Sequence, residues 1–99
     1  MLIRYVRMTF KEEKVEDFLS VFHATKHLIR AMKGCNHLEL QRDINNPAVF
    51  MTCSHWDSEQ DLNNYRDSDL FNEVWGKTKI HFNDKPVAFS VESVIVVNI

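Results

Sequence analysis

The sequence predicts an α+β fold in which one antiparallel four-stranded sheet carries its helices on a single face. Two observations predict it. Four segments read as strands, and the spacing of apolar residues changes to a helical period between the first and second and again between the third and fourth. The two central strand segments are joined by Ile44, Asn45, Asn46 and Pro47, where Asn and Pro supply the turn chemistry that strands avoid.

Each element follows in order. Leu2 to Phe10 is rich in aliphatic, aromatic and β-branched residues, with Leu2, Val6, Met8 and Phe10 on one alternating face and Ile3 and Tyr5 apolar on the other. From Lys11 onward Val15, Phe18, Leu19, Phe22, Thr25, Ile29 and Met32 recur at helical spacing, which predicts a helix of about five turns with Gly34 as its C-cap. Residues 35–43 and 48–56 form a hairpin, and Asp57 or Ser58 caps the next helix. Asn63, Asn64, Asp67 and Ser68 weaken the middle of the helical stretch 58–79, so two short helices are expected, the second capped by Ser68. Leu62 and Tyr65 face inward from the first, and Leu70, Phe71, Val74, Trp75 and Thr78 from the second. A turn at 83–86 leads into a long final strand, Val87 to Val97, apolar on both faces.

The order strand, helix, strand, strand, helix, strand is the ferredoxin-like split arrangement. It leaves one sheet face without helices. Yet the third strand carries Val49, Met51 and Cys53 on one side and Phe50 and Trp56 on the other, so the open face is too apolar to meet water. A second copy packed sheet against sheet is the simplest cover, and the tail Val94 to Ile99 is expected to add to the partner's sheet edge.

Length and composition narrow the function classes. With 99 residues, the chain is expected to be one domain, 1–99, whose core is thin enough to profit from a partner. A formal charge of -2, with Lys and Arg scattered and outnumbered by Asp and Glu, argues against a nucleic-acid partner. No apolar run is longer than Val94 to Val97, far short of the roughly 20 residues of a membrane helix. Arg4, Arg7 and Lys11 break any apolar leader segment, which makes the cytoplasm the expected address. Cys35 and Cys53 have no CxxC spacing and read as reduced, small core hydrophobes rather than nucleophiles.

The run Met32-Lys33-Gly34-Cys35, then Leu38 to Asp43, then Phe50 to Trp56 followed by Asp57-Ser58-Glu59-Gln60-Asp61-Leu62, resembles the antibiotic biosynthesis monooxygenase family, and Tyr65, Ser68, Phe71 and Trp75 continue the pattern. The resemblance spans roughly residues 2 to 92. It implies a dimeric α+β barrel, two ferredoxin-like sheets facing each other, with a cavity in each subunit between sheet and helices. It also implies cofactor-independent oxidation of a small phenolic or hydroquinone-like aromatic by molecular oxygen, with no metal, flavin or haem. An electron-rich phenolate held in a dry pocket passes an electron to oxygen itself, so the protein supplies orientation, desolvation and hydrogen bonds. The alternative is a non-catalytic or isomerase-like small-molecule binder on the same barrel.

Carried over position by position, the family's Trp at the end of strand three is Trp56, and the Asn four residues before it is Thr52 here. Thr keeps a donor but is shorter. The inward Tyr that some members place six residues after that Trp is Leu62, with Tyr65 one turn on. In the haem-degrading branch of the superfamily the first-strand Asn, the Trp of the second helical region and the axial His fall on Val6, Tyr65 and Trp75, so the iron ligand is missing.

The remaining candidates come from residue type and spacing. His23 and His27 are four apart on the first helix, a spacing that lets two imidazoles share a face, but zinc needs a third ligand and the pair also reads as a boundary feature. His23 adjoins the apolar face and is the candidate general base, with Thr52 as the group that orients oxygen. Trp56, Tyr65 and Trp75 are the candidate substrate-binding aromatics, each also readable as core packing. Arg4, Arg7 and Arg42 sit on strands, where a charge belongs to an edge or pairs across a dimer interface more often than it binds a substrate anion, and none of the three is taken as a site residue.

Overall fold

The computed structural model describes residues 1–99. Strand β1 (Leu2–Thr9) leads through a 3-10 turn at Glu12–Lys14 into α1 (Val15–Arg30). Then come β2 (Cys35–Arg42), β3 (Val49–Trp56), α2 (Glu59–Arg66), α3 (Asp69–Lys79) and β4 (Val87–Glu92). The four strands form one antiparallel sheet in the order β2-β3-β1-β4, which is the ferredoxin-like α+β arrangement. Helix α1 lies on β2 and against α3, and α2 lies on β3, all on one side of the sheet.

The short polar caps do what their chemistry predicts. Ser58 Oγ accepts the backbone N–H of Asp61 at 3.1 Å and Ser68 Oγ accepts that of Phe71 at 3.1 Å, each satisfying a donor that has no partner within its own helix. Ser68 also donates to the carbonyl of Tyr65 at 2.6 Å, so a single hydroxyl ends α2 and begins α3. The break in the helical stretch therefore fixes the angle at which α3 meets the sheet, and with it the outer wall of the cavity described below.

Two expectations are corrected. Helix α1 ends at Arg30, earlier than Gly34 implied, because the chain needs residues 31–34 to turn back onto the sheet. Gly34 has φ +84 within that turn, and a Cβ there would collide with the side chain of Asp61. The final strand also stops at Glu92 rather than Val97. Glu92 pairs with Leu2, where β1 itself begins, so no neighbouring backbone remains for residues 93–99. Val94, Ile95, Val96 and Val97 accordingly lie exposed.

On the helix side the buried hydrophobic side chains include two clusters. One gathers Met8, Phe10, Phe18 and Phe50, and the other Cys35, Trp56 and Leu62. The opposite sheet face carries no helix. There Tyr5 stacks on Phe89 with ring centroids 5.5 Å apart, Met51 is half-buried, and Cys53 is buried between Tyr5 and Glu39, its partners on the adjoining strands. Val87, Phe89 and Val91 of β4 are exposed.

Candidate functional site

Between the two clusters lies a cavity of about 350 Å³, at the small end of ligand pockets. Its origin is visible along β3. The helix-side residues Phe50, Thr52, Ser54 and Trp56 run large, small, small, large, so the end residues prop the helices away from the sheet and leave space over the middle. Val6 and Ala88 extend the low middle row onto β1 and β4, since Val6 pairs with both Thr52 and Ala88. Fourteen of the twenty lining residues are hydrophobic. An apolar ligand body is therefore what the space accepts.

Aromatic rings make one wall. Trp56 stacks on Tyr65 (centroids 5.2 Å, planes 20° apart), Tyr65 meets the edge of Phe71 at 5.2 Å, and Phe71 stacks on Trp75 at 5.9 Å. All four rings line the cavity. Trp56 is 1% exposed and its Nε1–H donates to Ser54 Oγ at 2.9 Å, so its polar atom is satisfied by packing and its ring is fixed. Tyr65 is half-buried, and burial pushes its phenol up to about 12. At neutral pH it is a hydrogen-bond donor and not a base.

The structure brings Thr52, Trp56, Tyr65 and Trp75 together around this one space. His23 is not among them. It is exposed on the outer side of α1 with Lys26 Nζ 3.1 Å from its Nδ1, which corrects the expectation of a cavity-rim position. His27 is exposed as well, and nowhere do three or more His, Cys, Asp or Glu side chains converge as a metal site would need. Leu62 is buried in the Trp56 cluster, so the position of the family's inward Tyr is filled here by packing. Cys35 is buried in the same cluster, and desolvation there raises its pKa, the opposite of what a nucleophile needs.

Of the polar lining residues, Ser54 and Arg66 were not candidates from sequence, and Arg4 was weighed for an anion only as the lesser alternative. For Arg4 the signal was available. Strand alternation places it on the same face as Leu2, Val6 and Met8, although its charge made an edge or interface position the expected one. Arg66, the last residue of α2, lies four after the inward Leu62 and so on the same helix face, and like Arg4 it was concealed by its charge rather than by its position.

Comparison with known proteins agrees with this geometry. No curated protein matches the sequence. Among solved structures, an antibiotic biosynthesis monooxygenase superposes with a TM-score of 0.89 at 17% identity, covering 96% of this chain and 100% of that one. A conserved protein from Methanosarcina mazei Go1 gives 0.88 at 20% identity, covering 95% and 94%. A protein from Mycobacterium tuberculosis gives 0.87 at 11% identity, covering 98% of each chain. At such identities these likenesses speak for the fold alone. The sequence model of the antibiotic biosynthesis monooxygenase family matches residues 1–75, from β1 through the cavity wall to Trp75, and the chain therefore belongs to that family.

Proposed function

We propose that the cavity binds a small planar phenolic or hydroquinone-like aromatic and that the protein oxidises it with molecular oxygen without a bound cofactor. The observation that carries this reading is the run of four aromatic rings that, together with Thr52, line one apolar space, in a chain of this family. In such chemistry the phenol becomes a quinone, one oxygen atom enters the ring and the other leaves as water. The substrate supplies every electron that oxygen receives. The protein's part is to exclude water, hold the ring between aromatic walls and offer hydrogen bonds from Thr52 and Tyr65 to oxygen atoms. Neither His nor carboxylate lines the cavity, so the phenolic proton leaves to water at the opening rather than to His23.

That same lack of a base favours a second reading, a small-molecule binder without oxygenase activity. Oxygen uptake by purified protein with naphthohydroquinone separates them. Uptake above the spontaneous rate, lowered in Thr52→Val, supports the oxygenase; binding without uptake leaves the binder.

The whole chain 1–99 acts in this reading as one domain within a homodimer, with the open sheet faces opposed and residues 94–99 laid along the partner. The support is the apolar surface left exposed in one copy, including Phe89, Val91 and Val94 to Val97. Light scattering at micromolar concentration tests it. A monomer would contradict it, and Met51→Lys, which sets a charge on that face, is expected to dissociate the dimer.

A further inference from the structure

Two cations face the cavity, and no anion answers them. Arg4 projects from β1 to the helix side, half-buried, and donates from Nη1 to the neutral Ser90 Oγ at 3.2 Å. Arg66 reaches the same cavity from the end of α2. They are near enough for the charge of Arg66 to add to desolvation, the larger cause, in lowering the pKa of Arg4. The chain's ion pairs are Lys14–Asp17, Lys77–Glu73 and, when its imidazole carries a proton on both nitrogens, His37–Glu39, and neither arginine takes part in one. None of the twenty lining residues is Asp or Glu. Glu92, beside Ser90 on β4, is exposed and pairs with neither.

A guanidinium does not lose its proton near neutral pH, so this repulsion persists in the empty protein. Partly desolvating one of two like charges without a partner is unfavourable, and an entering anion would reverse the sign of both interactions. We infer that Arg4 and Arg66 form an anion subsite of the cavity, and that its ligand is an aromatic molecule carrying a carboxylate. The inference rests on the reading of the cavity as an aromatic-binding site. Carboxylate is the chemistry that fits. It is planar, it presents two oxygens to the guanidinium fork, and it is ionised at neutral pH without help, whereas a phenol with a pKa of about 10 is not.

Register adds a length. Val6 pairs with Thr52 and Arg4 with Ser54, so Arg4 and Thr52 are diagonal neighbours, with Cα atoms ~7–8 Å apart in such a ladder. An aromatic with an oxygen substituent at one end and a carboxylate at the other spans from the hydroxyl to the guanidiniums. The reacting ring then lies under Trp75 and Phe71.

Calorimetric titration with naphthoate, naphthamide and naphthol tests the assignment. Naphthoate is expected to bind about tenfold more tightly than the isosteric amide, the scale of a charge-assisted hydrogen bond, with an advantage that shrinks as salt is added. Arg4→Gln and Arg66→Gln should each reduce that advantage, weakening naphthoate by a larger factor than naphthamide. Arg66 is exposed, so its variant reports on the subsite even if Arg4→Gln folds poorly. Equal affinities for naphthoate and naphthamide overturn the subsite while the aromatic cavity stands. Naphthol as the tightest ligand, bound as its anion, also overturns it, since the arginines would then serve a phenolate. If none of the three binds, the reading of the cavity fails and the subsite fails with it.

Discussion

The helix side of the sheet has a filled end and an open middle, built from the same strands. At the filled end β1 supplies Met8, β3 supplies Phe50 and α1 supplies Phe18, and Phe10, just beyond β1, joins them. Phe10 and Phe18 stack with centroids 4.1 Å apart, Phe18 meets Phe50 at 5.3 Å, and Phe82 closes on Phe10 at 5.3 Å. A few residues away the same β1 supplies Arg4 and Val6, and the same β3 supplies Thr52 and Ser54, and the interior is a cavity instead. The difference is one of side-chain volume and polarity at positions the backbone treats alike. Stability and binding are thereby assigned to different parts of one surface, and the assignment can be tested by substitution.

The largest expected effect is at the filled end. Phe10 is 2% exposed, and Phe10→Ala removes the ring that the other Phe side chains pack against, so it should cost about 3–5 kcal/mol in urea unfolding. A loss below ~1 kcal/mol would mean that this end is no better filled than the cavity. The next effect belongs to Tyr65, which ties stability to alkaline pH. Its folded pKa, about 12, lies above the ordinary 10, so the folded state holds a proton that the unfolded chain has released between those values. Stability is therefore intact below pH 10 and falls as pH rises towards 12, by about 2–3 kcal/mol at most. Unfolding measured across that range should show the fall in wild type and lose that part of it in Tyr65→Phe.

How much of this contrast was legible in the sequence depends on whether a feature is local. Ser58 and Ser68 announced their helices because a cap needs only its own next few residues. The four strands and their helix-side residues followed from alternation, and Trp56, Tyr65 and Trp75 were found to share a space because their phases on strand and helix were readable. Residues 93–97 misled because Val and Ile favour strands anywhere, while a strand exists only where a neighbour offers hydrogen bonds, and β1 offers none past Leu2. His23 misled by phase. One residue beyond Phe22 is a rotation of about 100° around the helix, enough to carry the imidazole from the cavity wall to water. Arg4 was legible by position and concealed by residue type. Its burial is an energetic cost that the local pattern argues against, and such conflicts are where function is often found.

Around the open middle, substitutions should change binding more than stability. Trp75 is half-buried, stacked on Phe71 and edge-on to Phe82 at 5.5 Å. Trp75→Phe keeps an aromatic ring there and should leave unfolding within about 1 kcal/mol of wild type. Loss of stacking area should weaken naphthohydroquinone, titrated without oxygen, by about 1 kcal/mol. A stability loss as large as that of Phe10→Ala would make Trp75 a core residue and erase the distinction between the filled end and the open middle.

Thr52→Val is the finest test, because it alters one atom group and almost no volume. Thr52 lines the cavity between Phe50 and Ser54, half-buried, so its hydroxyl is within reach of a ligand. Removing a hydroxyl that meets only water in the empty protein should change stability by less than ~0.5 kcal/mol, and a slight gain is as acceptable as a slight loss. Removing one that bonds the substrate's oxygen should cost ~0.5–1.5 kcal/mol of affinity, several-fold in Kd, for ligands with a phenol and nothing for naphthalene itself. The comparison between those two ligands isolates the hydrogen bond from the fit of the ring. If Thr52→Val weakens both equally, the residue acts through cavity shape. If it weakens neither, the phenol lies elsewhere in the cavity and the polar row of β3 has no part in holding it.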